Sequence, residues 1–221
     1  MTASIWSYAL GYLTGVLAFG WFARSRKLLS GGILILMTVG LISGLVGANL
    51  AQWVVGGSAG KTVLGAIVFG YMGVFVAKKL LGIKRPLGDL FAVGISAGEA
   101  VGRWGCFFGG CCFGKTCSLP WAVHQHDALR HPTQIYLSLA NLAILIVLLA
   151  MDRFKPPENT LFYLQGMLYC IARFFIEFLR DSPSHNPLTS AQFACIAGLV
   201  FFAFMFIRLV SIPPVQRISS L

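Results

Sequence analysis

Apolar residues fall in long, nearly unbroken stretches, not in the short alternations of strands or the half-apolar faces of soluble helices. Seven stretches, separated by charged and turn residues, predict helices at Ile5–Phe22, Leu29–Val54, Thr62–Leu81, Leu87–Phe108, Pro132–Met151, Leu161–Leu179 and Ser190–Leu209. Each is close to the roughly 20 residues that cross a bilayer core. The predicted class is therefore all-α: a polytopic membrane protein with seven transmembrane helices, read as one integral-membrane domain over residues 1–221. Glycine and serine recur at close spacing, as in Gly40-Leu41-Ile42-Ser43-Gly44-Leu45-Val46-Gly47. Such spacing lets helix backbones approach closely. The first stretch lacks a basic leader and is long enough to span, so no cleavable signal peptide is expected.

Composition agrees. Hydrophobic residues make up 57% and charged residues 11% of the chain, against about 25% charged in soluble domains. A disordered chain and an ordinary soluble domain are both excluded. The net charge is +10, with 17 Lys/Arg against 7 Asp/Glu. No base-reading motif accompanies it, so nucleic acid is not an expected partner. The excess reads as a loop bias, with attraction to anionic lipid heads. Eleven basic residues (Arg24, Arg26, Lys27, Lys78, Lys79, Lys84, Arg85, Arg153, Lys155, Arg208, Arg217) fall on one side of the predicted bundle, and four (Lys61, Lys115, Arg130, Arg180) on the other. The positive-inside rule then puts the N-terminus outside, the C-terminus in the cytoplasm, and the long loop between helices 4 and 5 outside.

Charges inside predicted spans are costly and point to function. Glu99 and Arg103 are four apart, on one helix face. Arg173, Glu177 and Arg180 form a second cluster, in which Glu177 can pair with either arginine. A structural ion pair would explain each cluster alone. Two of them near the outer ends of their helices point to a bound anion, because arginine grips phosphate with two parallel hydrogen bonds. The ligand implied is an anionic phospholipid head. The stretch Gly102-Arg103-Trp104-Gly105-Cys106-Phe107-Phe108-Gly109-Gly110-Cys111-Cys112-Phe113-Gly114-Lys115 is read as an outer loop at membrane depth. Such backbone has to line a cavity or be buried in protein. Further on, Pro132 suits a helix start, and His131, Gln134 and Tyr136 make a polar patch beside it.

These motifs resemble the prolipoprotein diacylglyceryl transferases of bacterial membranes. They are Gly-Arg-x-Gly-x-Phe-x-x-Gly with a further glycine, then Leu-Pro-Trp-Ala-Val, Arg-His-Pro-Thr-Gln-x-Tyr and Arg-Phe-x-x-Glu-x-x-Arg. The resemblance is strongest from Gly98 to Asp181, and Tyr8 is similar to a family tyrosine of the first helix. It implies a plasma (inner) membrane enzyme whose active-site loop, residues 103–131, faces outward. The enzyme would move a diacylglyceryl group from phosphatidylglycerol to a thiol acceptor, such as the lipobox cysteine of a prolipoprotein, and release glycerol phosphate. By resemblance the catalytic residues are Arg103, Arg173, Glu177 and His131. Tyr8, Gly102, Gly105, Gly114, Gln134, Tyr136 and Arg180 would bind substrate. The sequence departs from the family at four points. Cys106 stands where asparagine is usual and Cys111 where glutamate is usual. The third helix has no histidine near Val68–Gly73, and Leu45 stands where the second helix usually has arginine.

The cysteines Cys106, Cys111, Cys112 and Cys117 are spaced C-x4-C-C-x4-C. Disulfides persist outside the cytoplasm, so one or two local bridges are expected here. A metal site with His124 and His126 matches no standard zinc spacing, and no metal or cofactor is expected. Cys111, in an acidic position of the family, could also act as a nucleophilic relay. Cys170 and Cys195 read as packing residues within helices. Two alternatives stay open: a membrane thiol-redox or metal-binding protein built on the cysteine loop, and a non-catalytic phospholipid-binding relative.

Overall fold

The structure, a computed structural model, describes residues 2–56, 63–181 and 187–211. Lys61, Thr62 and Arg217, used above, lie outside the described residues. Among the described residues seven helices follow one another: α1 (Thr2–Ser25), α2 (Gly31–Gly56), α3 (Val63–Leu80), α4 (Gly88–Phe108), α5 (Thr133–Asp152), α6 (Thr160–Phe178) and α7 (Ser190–Ser211). Between α4 and α5 stands a hairpin, β1 (Val123–Gln125) and β2 (Ala128–Arg130), antiparallel with Val123 opposite Arg130. The described elements are all helical apart from this hairpin.

Five of these helices are long and apolar enough to cross a membrane: α1, α2, α5, α6 and α7. The other two are α3 and α4, and α4 carries Asp89, Glu99 and Arg103 within 21 residues. Large apolar side chains point outward along α7, including Phe193, Val200, Phe201, Phe204 and Ile207. Lipid as the surrounding solvent accounts for such a surface.

The described residues pack as two compact units, residues 2–19 with 86–181 and 187–211, and residues 20–56 with 63–85. In the second unit α2 and α3 meet through small residues. A Cβ on Gly44 would sit 3.3 Å from the Ala66 carbonyl, and one on Gly70 would sit 3.5 Å from that of Gly40. This is the backbone approach that the glycine run of α2 predicts.

The first unit is built the same way at α1 and α4. A Cβ on Gly11 would lie 2.7 Å from the Gly102 Cα, and one on Gly15 would lie 3.0 Å from the Gly94 carbonyl. The starts of α4 and α6 cap each other: Asn159 Oδ1 accepts from the Gly88 N–H at 2.9 Å, and Asp89 Oδ1 accepts from the Phe162 N–H at 3.1 Å. Each carboxylate or amide oxygen meets a donor that the helix itself leaves unpaired. On α5, Ser138 donates to the Ala100 carbonyl of α4. On α6, Gly166 sits under the Phe202 ring of α7. Together these contacts fix the relative positions of α4, α5 and α6, which carry the site.

Candidate active site

Every candidate site residue lies in the first unit. Arg103 is held near the C-terminal end of α4. Its Nε donates to Glu99 Oε2 at 2.7 Å, and its Nη2 donates across to the Tyr169 hydroxyl on α6 at 3.3 Å. Tyr169 is one turn before Arg173, so this bond ties Arg103 to the stretch of α6 that carries Arg173. Sequence reasoning missed Tyr169. Its only signal was the four-residue spacing to Arg173, which puts the two on one face of α6.

Arg173 Nη1 lies 2.5 Å from Glu177 Oε2, and Arg180 Nη1 lies 3.6 Å from the same oxygen. The carboxylate thus pairs with both arginines, where the sequence allowed either. Its other oxygen accepts from the Thr189 hydroxyl at 3.3 Å. The Glu177 side chain is 2% exposed and that of Arg173 12%, so the carboxylate is buried and its partner largely so.

α4 continues as helix to Phe108, so Gly102, Arg103, Gly105 and Cys106 belong to the helix and not to an irregular loop. The reason is close packing, which the glycines allow without breaking the helix. The Tyr8 ring lies over Gly105, where a Cβ would be 2.6 Å from Tyr8 Cδ1, and Ser4 donates to the Gly105 carbonyl at 2.8 Å. Gly102 faces open space on its own Cβ side.

Beyond α4 the chain turns back and then runs extended through Gly114 to Thr116. This segment is paired on both edges. Gly114 N–H donates to the His131 carbonyl at 2.9 Å and His131 N–H to the Lys115 carbonyl at 3.0 Å. On the other edge Lys115 N–H donates to the Leu179 carbonyl at 2.8 Å, and Asp181 N–H to that of Phe113 at 3.2 Å. Gly114 faces Arg180 in this ribbon. Glycine is required here, because a Cβ would stand 2.6 Å from the His131 carbonyl oxygen and 2.7 Å from that of Leu179. Arg130 braces the ribbon with an ion pair to Asp181 at 2.6 Å and by lying 4.8 Å over the Phe113 ring.

His131 precedes α5. Its Nδ1 is 3.3 Å from the Tyr136 hydroxyl, which also accepts from Trp121 Nε1 at 2.8 Å. Gln134 is buried, and its Nε2 donates to the Cys111 carbonyl at 2.7 Å. Its Oε1 has no hydrogen-bond partner among the described residues.

All six cysteines are free thiols, so the structure does not contain the bridge expected in the loop. Cys106, Cys111 and Cys112 nevertheless converge, with sulfurs all within 4.8 Å of one another. Cys117 stands outside this group, because its backbone is committed to the hairpin through a bond from its N–H to the Leu129 carbonyl. Hydrogen bonding to the neighbouring Cys106 and Cys112 sulfurs pushes the Cys111 thiol up from its usual pKa.

The chain matches the prolipoprotein diacylglyceryl transferase family over residues 1–208. Among curated proteins it is similar to phosphatidylglycerol–prolipoprotein diacylglyceryl transferase 1 of Streptomyces coelicolor, at 36% identity over 138 residues, which is 58% of this chain and 40% of the relative. It is 29% identical over 223 residues to the enzyme of that name from Clostridium tetani, covering 90% of this chain and 89% of the relative. Against the Streptomyces griseus enzyme it is 31% identical over 210 residues, 82% of this chain and 65% of the relative. The match takes in both arginine clusters, the extended ribbon and the polar start of α5, and the chain belongs to the prolipoprotein diacylglyceryl transferase family.

Proposed function

We propose that this chain transfers a diacylglyceryl group from phosphatidylglycerol, or a related anionic phospholipid, to the thiol of a prolipoprotein cysteine, releasing glycerol phosphate. The names of the relatives give the donor and the acceptor. The observation that carries the reading is the arginine pair. Arg103 of α4 and Arg173 of α6, from helices far apart in the chain, are linked through Tyr169, whose hydroxyl accepts from Arg103 at 3.3 Å and which stands one turn before Arg173.

The chemistry asks for two things. A thiolate attacks the sp3 glyceryl carbon that bears the phosphate ester. The C–S bond forms, the C–O bond breaks, and the electron pair leaves on the phosphate oxygen. Fixed cations in a water-poor site stabilise that growing charge. Arg103 and Arg173 hold the phosphate, with Tyr169 between them. Glu177 and Arg180 set the orientation of Arg173. His131, with Tyr136 and Gln134 beside it, takes the thiol proton at the mouth of the site. Tyr8, Gly102, Gly105 and Gly114 shape the walls. All seven helices span a bacterial inner membrane, the N-terminus is outside, and the 103–131 segment faces outward; the uneven distribution of basic residues supports this orientation.

The test uses vesicles containing phosphatidylglycerol labelled in its diacylglyceryl part and a lipobox peptide. The expected result is a peptide heavier by one diacylglyceryl group, with release of glycerol phosphate and no reaction of a Cys→Ser peptide. Arg103→Lys and Arg173→Lys keep the charge and lose the two-pronged grip. Each should slow transfer by about 10²–10³-fold, the cost of losing one fixed donor at a developing anion. Absence of transfer by the unaltered chain, or near-normal rates in both variants, would overturn the reading.

A further inference from the structure

The mechanism above leaves the three converging sulfurs without a role. Cys106 is in the last turn of α4. Gly110, at φ 64°, and Cys112, at φ 61°, turn the chain back on that helix end. The Cys111 N–H then donates to the Cys106 carbonyl at 3.1 Å. A positive φ at cysteine is a strained state that persists only where the surroundings impose it. Here they do. The Cys111 carbonyl accepts from Gln134 Nε2 at 2.7 Å and the Cys112 carbonyl from the Thr133 hydroxyl at 2.6 Å. Both donors are 1% exposed and belong to the first turn of α5. The Tyr8 hydroxyl donates to Cys106 Sγ at 3.3 Å, which orients that sulfur from α1.

The cluster therefore has a built scaffold on three helices. Zinc–sulfur bonds of about 2.3 Å in a tetrahedron put sulfurs about 3.8 Å apart, within reach of a group confined to 4.8 Å. Among the described residues no histidine or carboxylate joins the group, which leaves three protein ligands and one open corner. Three ligands and an open corner is the pattern of a working zinc site, whereas structural sites close all four. Cys111 is the exposed member of the three.

We propose that Cys106, Cys111 and Cys112 bind a divalent cation of the zinc class, and that its open position receives the acceptor cysteine as a thiolate. The second part rests on the transferase reading. The acceptor thiol gives its proton to His131 as its sulfur binds the metal. The sulfur then forms the C–S bond with the glyceryl carbon, and the C–O electron pair departs with glycerol phosphate. The product thioether is a poor ligand and leaves, and the metal keeps its oxidation state throughout. Arg103 lies three residues before Cys106, on the same face of α4, so phosphate and thiolate would meet beside one helix.

The experiment uses the full chain in detergent, isolated without reductant for metal and thiol analysis and then stripped by chelator with reductant. Isolated protein should carry one zinc, with Cys106, Cys111 and Cys112 protected from alkylation while Cys117 reacts, as peptide masses will show. Cobalt(II) added to stripped protein should give thiolate-to-metal absorption that saturates at one equivalent and bleaches with zinc. Cys111→Ser should weaken that absorption and Cys117→Ser should not. A disulfide within the trio, absence of the cobalt band, or equal alkylation with and without zinc would overturn the site. A cysteine peptide should shift the cobalt spectrum where a serine peptide does not. Stripping should slow transfer roughly thirtyfold at pH 7, the shortfall in thiolate for a free thiol with pKa near 8.5. Zinc should restore the rate. Undiminished transfer by stripped protein would overturn acceptor binding and leave the transferase reading standing. Metal binding with no transfer under any condition would uphold the site and overturn the transferase reading.

Discussion

A guanidinium within a helical bundle is tolerated only where its hydrogen bonds are met. Arg103 donates to Glu99 and Tyr169, and Arg173 is ion-paired with Glu177. Tyr169→Phe removes one acceptor and keeps the ring, so kcat/KM for transfer should fall about twofold to tenfold, in line with about 0.5–1.5 kcal/mol per hydrogen bond. Glu177→Gln is a different case. It leaves Arg173 buried without its counter-charge, and breaking such a pair from one side costs about 3–5 kcal/mol. Thermal unfolding in detergent should show that loss, and an unchanged midpoint would refute the buried pairing. The arginines and Glu177 were legible in the sequence because a charge in an apolar run stands out. Tyr169 was not, since a tyrosine in such a run is ordinary. The meeting of three cysteines was hidden too. Linear spacing says nothing about a chain reversal enforced by Gly110, a positive φ at Cys112 and two side chains of α5.

Helices were legible to within a few residues, because a spanning helix announces itself by length and apolarity. The ends at Phe108 and Thr133 agree closely with the runs read from the sequence. The hairpin was not anticipated. Its strands are three residues each, and its turn uses His126 and Asp127 at positive φ, without glycine. Glycines differ in what they do for an element, and substitution separates the cases. At Gly114 the atoms facing a new methyl group are backbone oxygens on both edges, which cannot step aside. Gly114→Ala should therefore displace His131 and Arg180 and reduce transfer by about 10²-fold, the cost of misplacing reacting groups by about 1 Å. Circular dichroism should show its helix content unchanged. A Cβ on Gly20 of α1 would meet nothing within 4 Å. Gly20→Ala should leave transfer intact and stabilise the helix by up to about 1 kcal/mol. Equal behaviour of the two variants would refute the ribbon's part in the site.

For the whole molecule, composition alone identified a membrane protein, since 11% charge cannot solvate a domain of this size. The orientation rests on the uneven spread of basic residues. A protease-cleavable tag on the C-terminus should survive protease added to intact spheroplasts and be removed after lysis, and an N-terminal tag should be removed in both; the reverse pattern would overturn the orientation. The paired ribbon has a consequence of another kind. Gly114 has the residue next to the candidate thiol mouth, His131, on one side and Arg180, which pairs with Glu177 of the candidate phosphate clamp, on the other. On the proposed function, a lipid head that drew Arg180 inward would pull on the strand that is also bonded to His131. Free energy linkage is reciprocal. Whatever factor the lipid contributes to peptide affinity, the peptide must contribute to lipid affinity, so the two dissociation constants are tied.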